Sequence, residues 1–193
     1  MPEIQGDQKL IRRLQAGDVE ALGDLYDRYR HQIYRTALAI THDPNAADDI
    51  LQECFLRVYR YANRIDPALP LAPWLYRVTV NLSYTWTKRN RRNAVSLDGV
   101  IDYLTSAPSA APEPSAEQAE LLQKIQEAID ALPFEQRAVI VLHYLNGLSV
   151  KEIAEVLECP VGTVKSRLHH ARRKLRKQLG HPGWVSELAH GYT

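Results

Sequence analysis

An all-α protein is predicted, with two small helical domains joined by a Pro-, Ala- and acid-rich linker and a helix-turn-helix in the second. Three observations carry this. Apolar residues recur at intervals of three and four along most of the chain and nowhere show β-type alternation. Residues 94–120 become rich in Pro, Ala, Ser and acids after their first ten positions, a composition that does not fill a core. Residues 149–179 join a capping-box signature, a short turn and an acid-free basic segment. With 193 residues, 45% of them hydrophobic, the chain has material for two small cores.

The first domain is assigned to residues 1–93. Leu22, Leu25, Tyr26, Tyr29, Ile33, Ala37 and Ile40 form the stripe of one long amphipathic helix, with Asp18 as its expected N-cap. Asp43 followed by Pro44 announces a second helix, a cap plus a first-turn proline, with Ala47, Leu51, Cys54 and Val58 inward. Asp49, Gln52, Glu53 and Leu56 share another of its faces. A proline-broken loop is expected over Arg64–Pro73, then a third helix from near Trp74 into TWTKRNRR.

The linker is assigned to 94–120. Its first part holds Val95, Leu97, Val100, Ile101, Tyr103 and Leu104, too apolar for a simple tether. The second domain, residues 121–179, begins with Leu121, Leu122, Ile125 and Ile129 on a helix ending at Pro133. A further helix through Val139, Leu142 and Leu145 is terminated by Gly147. Ser149 and Glu152 then form an S-x-x-E box. Ile153, Ala154 and Leu157, a turn at Glu158–Pro160, and Val164, Leu168 and Ala171 have the spacing of two steeply crossing helices. Residues 180–193, with Trp184, form a C-terminal extension.

The formal net charge of +1 hides a partition. Residues 1–93 carry fourteen Lys/Arg against eleven Asp/Glu, residues 94–136 one against eight, and residues 137–193 nine against four. Two basic ends flank an acidic middle, which points to two phosphate-facing modules. Cys54 and Cys159 lack metal-ligand spacing and read as reduced core thiols. No stretch approaches the roughly 20 apolar residues of a membrane span, and the N-terminus lacks the apolar core of a signal peptide. The expectation is a cytoplasmic protein without membrane insertion, metal or cofactor.

Two segments carry binding chemistry. Between Pro160 and Leu179 stand seven Lys or Arg and no acid. Thr163, Lys165, Ser166, Arg167, His169, His170 and Arg173 are the positions expected to meet base edges and phosphates in a major groove. In SYTWTKRNRR, Tyr84 and Trp86 precede Lys88, Arg89, Arg91 and Arg92. Aromatic faces beside cations suit unstacked single-stranded bases, at roughly 1–3 kcal/mol per stacked base. The bland reading of such aromatics is half-buried surface packing, and for Trp74 core packing is favoured over any contact.

Three blocks, AADDILQECFLRVYR, WLYRVTVNLSYTWTKRNRR and LPFEQRAVIVLHYLNGLSVKEIAEVLECPVGTVKSRLHHARRKL, resemble regions 2 and 4 of the extracytoplasmic-function (ECF) sigma factors of the sigma-70 family. The resemblance implies a non-enzymatic subunit that joins core RNA polymerase, directs it to promoter DNA and helps open the duplex. It implies an alternative, stress- or envelope-responsive regulator held by an anti-sigma factor. Asp49, Gln52, Glu53 and Phe55 match the polymerase-docking block, with core packing as the alternative for Phe55. Asn81–Thr85 matches the short loop that captures a flipped minus-ten base, with Tyr84 as the stacking residue, and Lys88–Arg92 the adjoining basic helix. Lys165, Ser166, His169 and His170 match the minus-thirty-five positions. The last is often Arg in the family, so His170 lacks the second parallel donor and fixed charge. The linker matches a stretch that passes through the polymerase; folding back on its own domain is the alternative. A stand-alone helix-turn-helix regulator explains the second domain but not the first. A nucleic-acid-processing enzyme rests only on acids such as Asp48 and Asp49 and on the histidines, none at triad or metal spacing.

Overall fold

A computed structural model describes residues 2–90 and 116–180. Within them are eight α-helices and no strand. The first half holds α1 (Pro2–Gln15), α2 (Glu20–Thr41), α3 (Pro44–Tyr61), a 3-10 turn (Ala62–Arg64) and α4 (Leu71–Asn90). The second holds α5 (Ala116–Asp130), α6 (Phe134–Ile140) continued by a π turn (Val141–Leu145), α7 (Val150–Val156) and α8 (Val161–Leu179). The all-α fold with a C-terminal helix-turn-helix is as expected.

Local chemistry sets the helix ends. The Asp43 carboxylate accepts from the Ala46 N–H at 2.9 Å and Pro44 occupies the first turn of α3. The box at α7 is closed on both sides: the Glu152 N–H donates to Ser149 Oγ at 3.3 Å, and the Ser149 N–H donates to Glu152 Oε2 at 2.7 Å. Gly180, at φ 71°, ends α8 in the left-handed region. Other boundaries shift. Asp18 accepts from the Glu20 N–H, but Val19 occupies the cap of α2. Helix α4 begins at Leu71, because Pro73 falls in a first turn that needs no N–H from it. Helix α5 begins at Ala116, five residues inside the segment assigned to the linker, and Lys124 bonds Glu120 along it at 2.6 Å.

In the first half α2 is central, packed on α1, α3 and α4. Leu25, Ile33 and Ile40 are fully buried with Ile11, Leu71 and Leu75, each side chain stabilising by about 1.5–3 kcal/mol. Helix α1 is pinned by a buried carboxylate: Asp7 accepts from Arg28 at 2.6 Å and from the Tyr29 hydroxyl at 2.5 Å. A Cβ on Gly6 would lie 2.7 Å from that guanidinium, which accounts for a glycine inside the helix. Cys54 is buried against Thr79, and burial pushes its thiol up to about 12, leaving it protonated and inert. Cys159 is a partly buried free thiol. Trp74 packs partly buried against the core, the bland reading.

In the second half α6 and α8 pack together, α7 crosses onto α8, and Ile129, Ile140, Leu142, Ile153, Val164, Leu168 and Leu175 close the core. The two halves then meet along a polar seam. His42, in the left-handed conformation at the end of α2, lies buried with Nε2 2.5 Å from Asp130, and Gln126 also bonds its ring. A neutral imidazole fits this, with Nε2–H donating to the carboxylate and Nδ1 accepting from the amide. Burial pushes the imidazole below its ordinary range more than Asp130 raises it, and Arg137 adds to the depression. Arg137 donates to the Ile40 carbonyl at 2.7 Å and the Asp130 carbonyl at 2.6 Å, placing one cation between the ends of α2 and α5. Asn146 donates to Thr36 Oγ1 at 2.8 Å.

Candidate nucleic-acid interface

Helix α8 is amphipathic in one sense only. Val164, Leu168, Ala171 and Leu175 are buried, while Lys165, Ser166, His169, His170 and Arg173 are exposed. Thr163 and Arg167 flank them half-buried. Five of the seven expected contact residues therefore share the outward side of the second helix of a helix-turn-helix, with Thr163 and Arg167 at its edges. Among its cations, Arg172 is differently used: its guanidinium donates to the Tyr144 hydroxyl at 2.7 Å and lies over that ring, tying α8 to the π turn.

Helix α4 carries the second basic segment. Asn81, Tyr84, Lys88 and Arg89 are exposed and Trp86 is half-buried. The segment Asn81–Thr85, matched to a loop by the resemblance, is helical, in line with the helix read from near Trp74 into TWTKRNRR, and the Thr85 hydroxyl donates back to the Asn81 carbonyl at 2.9 Å. The helix continues because Tyr76, Thr79, Val80 and Ser83 are buried at helical spacings of three and four. Irregular backbone precedes α4 at residues 65–70, where Leu69 is exposed and the Asp66 carboxylate accepts from the Ala68 N–H. Arg91 and Arg92 lie outside the described residues, as do the apolar linker positions and Trp184.

On α3, Asp49 and Gln52 are exposed and Glu53 is half-buried, paired with Arg57 at 2.9 Å and Arg60 at 3.8 Å. Phe55 does not join them. It is buried, its ring 5.0 Å from that of Tyr26, and it belongs to the core. Leu56 and Tyr59 take its place beside the polar residues, about half exposed at 47% and 51%.

The order of these faces matches known proteins. Residues 25–93 match the family described as Sigma-70 region 2, and residues 122–175 match Sigma-70, region 4. The chain is 35% identical to the ECF RNA polymerase sigma factor SigW of Bacillus subtilis over 89% of its own length and 96% of that protein's. The chain belongs to the ECF RNA polymerase sigma factors. It is 33% identical to the ECF RNA polymerase sigma-E factor of Escherichia coli, covering 93% of this chain and 97% of that one. The solved structure of CnrH, in complex with the cytosolic domain of CnrY, superposes with a TM-score of 0.68 at 25% identity, over 91% of this chain and 97% of CnrH.

As a sigma factor the protein associates with core RNA polymerase and directs initiation at specific promoters. Family membership accounts for exposed basic helices in two separate halves. The sequence reading missed Arg77. It stands one turn before Asn81, and Arg77, Asn81, Tyr84 and Lys88 follow at spacings that place them along one side of α4. The Arg77 guanidinium donates to the Glu155 carbonyl at 2.7 Å, the Val156 carbonyl at 3.3 Å and the Glu158 carboxylate at 2.7 Å, partners some eighty residues away in sequence and beyond the reach of any local pattern. Among the described residues no helix is long and apolar enough to cross a membrane.

Proposed function

We propose that residues 1–93 dock on core polymerase and engage the minus-ten element, that residues 121–179 read the minus-thirty-five element, and that the face formed by Asp49, Gln52, Leu56 and Tyr59 is the docking ridge. The observation that carries this is a polar ridge with two large exposed apolar side chains on a helix whose remaining faces are buried. Such a mixture suits a partner surface better than solvent. Glu53 supports the ridge through Arg57 rather than standing open. Tyr84 offers the stacking ring, Asn81 and Trp86 flank it, and Lys88, Arg89, Arg91 and Arg92 track the strand backbone. Lys165, Ser166, His169 and His170 read bases, and Thr163, Arg167 and Arg173 hold phosphates.

The protein works in the cytoplasm as a regulator with no catalytic step of its own, responding to stress or envelope signals. An anti-sigma factor is the expected inhibitor. CnrH, whose fold this chain shares, is held by the cytosolic domain of another protein. Competition for core polymerase tests the ridge: Gln52→Arg with Tyr59→Ala should lose assembly with core while keeping the helical circular-dichroism spectrum. Unchanged assembly would remove the ridge from the polymerase face.

A further inference from the structure

Helix α6 runs into a π turn, where the Asn146 N–H donates to the Val141 carbonyl at 3.2 Å. Such a turn holds one residue more than an α-helical turn and is rare outside sites where the extra residue is used. Tyr144 stands in it and is held from two sides. The His143 ring lies edge-on to it, centroids 4.8 Å apart, while His143 Nδ1 is 2.8 Å from the Leu148 carbonyl, just ahead of the capping box of α7. From α8, Arg172 Nε donates to the Tyr144 hydroxyl at 2.7 Å, and the guanidinium carbon sits 5.5 Å from the centre of the ring.

A brace between the π turn and α8 accounts for these contacts but not for what they leave over. Arg172 is exposed although its Nε is engaged, and among the described residues no acceptor meets its Nη1 or Nη2. Its neighbours along the helix are telling. Lys165, His169, Arg172 and Arg176 follow one another at spacings of four, three and four, all exposed, and so form one row at the edge of the outward side. No carboxylate occurs in α8 to compete for that row. A recognition helix in a major groove meets base edges along its centre and strand backbones along its edges.

We infer that Arg172 grips a phosphate flanking the minus-thirty-five element, and that Tyr144 is the positioning residue that aims it. The Nε–H is taken by the tyrosine hydroxyl, so the phosphate meets Nη1 and Nη2 together, a bidentate pair that a lysine cannot form. An arginine loses rotamer freedom when it binds, and one already held against a ring loses less. Arg172 thus joins Thr163, Arg167 and Arg173 among the residues that hold the backbone, and the π turn is the element that presents its anchor. This rests on the assignment of residues 121–179 to the minus-thirty-five element, and it adds to that assignment a contact and the residue that orients it.

The test measures binding of duplex promoter by the full chain with core polymerase across a salt series. Arg172→Met keeps the apolar stem and removes the charge. It should lower the slope of log affinity against log salt by about 0.9, one phosphate contact on duplex DNA. Arg172→Lys should keep the slope and lose affinity, because a point charge meets phosphate without the fork. Tyr144→Phe keeps the ring and removes the acceptor. It should weaken binding about two- to tenfold at an unchanged slope, the effect of having to order one freed side chain. With Arg172→Met already in place, Tyr144→Phe should cost nothing further. A parental slope in Arg172→Met would overturn the phosphate contact and leave the pair a brace. Tighter binding by Tyr144→Phe would overturn the positioning role, since the tyrosine would then be withholding the cation from DNA. An equal loss on Tyr144→Phe with and without Arg172→Met would overturn it as well. A parent complex that binds equally well when the minus-thirty-five base pairs are changed is a separate result, and it would count against the reading of that element by α8.

Discussion

Helices α4 and α8 are both basic, both amphipathic and both proposed to meet DNA, yet the protein treats them differently. The outward side of α8 meets solvent. The corresponding side of α4 meets the other half of the molecule, through Arg77 and Tyr84. A recognition helix for duplex DNA can stand exposed, because its cations are well hydrated until phosphate displaces water and counterions. A face that stacks unpaired bases must offer an aromatic surface, and exposed aromatic surface finds a partner within the chain when one is near.

The largest effect expected on this comparison comes from the core beneath α8. Ile153→Ala removes a fully buried side chain at the crossing of α7 and α8 and should cost about 2–5 kcal/mol. Hydrogen exchange should then rise through residues 150–175 before it rises in α2 and α3. An equal rise in both halves would show that they unfold as one unit.

Next come the DNA contacts. Lys165→Ala should weaken promoter engagement by roughly 1–3 kcal/mol and relax preference at one base pair, as measured by transcription from promoters mutated position by position. Lys88→Ala and Arg89→Ala should weaken engagement uniformly across sequences. If both helices lose affinity uniformly, the distinction between reading and gripping fails. Ser149→Ala removes the Oγ that accepts from the Glu152 N–H, leaving the backbone N–H of residue 149 bonded to the Glu152 carboxylate, and should cost about 1 kcal/mol, seen as a lower unfolding temperature.

The smallest effect belongs to the seam. His42 is held below its ordinary pKa in the folded chain, so the unfolded chain binds a proton that the folded one refuses. Stability should be level above the ordinary histidine value of about 6.5 and fall as pH drops below it, toward the depressed folded value. His42→Asn keeps a residue suited to the left-handed position and should flatten this acid limb in urea unfolding series. Parallel limbs in parent and variant would assign the pH dependence to other histidines.

How far such features were legible follows from the range of the interaction. The Asp43–Pro44 start and the Ser149/Glu152 box are signals within four residues, and both appear in the structure as read. Leu56 stands on the polar face of α3 as read, whereas Phe55, matched to the docking block by the resemblance with core packing as the alternative, lies about 100° away and turns inward against Tyr26. For Asn81–Thr85 the helical periodicity read from near Trp74 onward was the better guide than the loop implied by the resemblance, because Val80 and Ser83 are anchored in the core. The seam had no sequence signal at all. Arg77 with Glu158, Asn146 with Thr36 and His42 with Gln126 join residues 81, 110 and 84 positions apart, and each is an ordinary polar residue in its own segment.

The most direct test of the sigma assignment is run-off transcription from a pool of genomic promoter fragments, with sigma-free bacterial core polymerase and the purified chain added separately and together. Specific transcripts that appear only when both proteins are present are the expected result. No transcript with core, together with tight sequence-specific binding of duplex by the chain alone as a dimer, would contradict it.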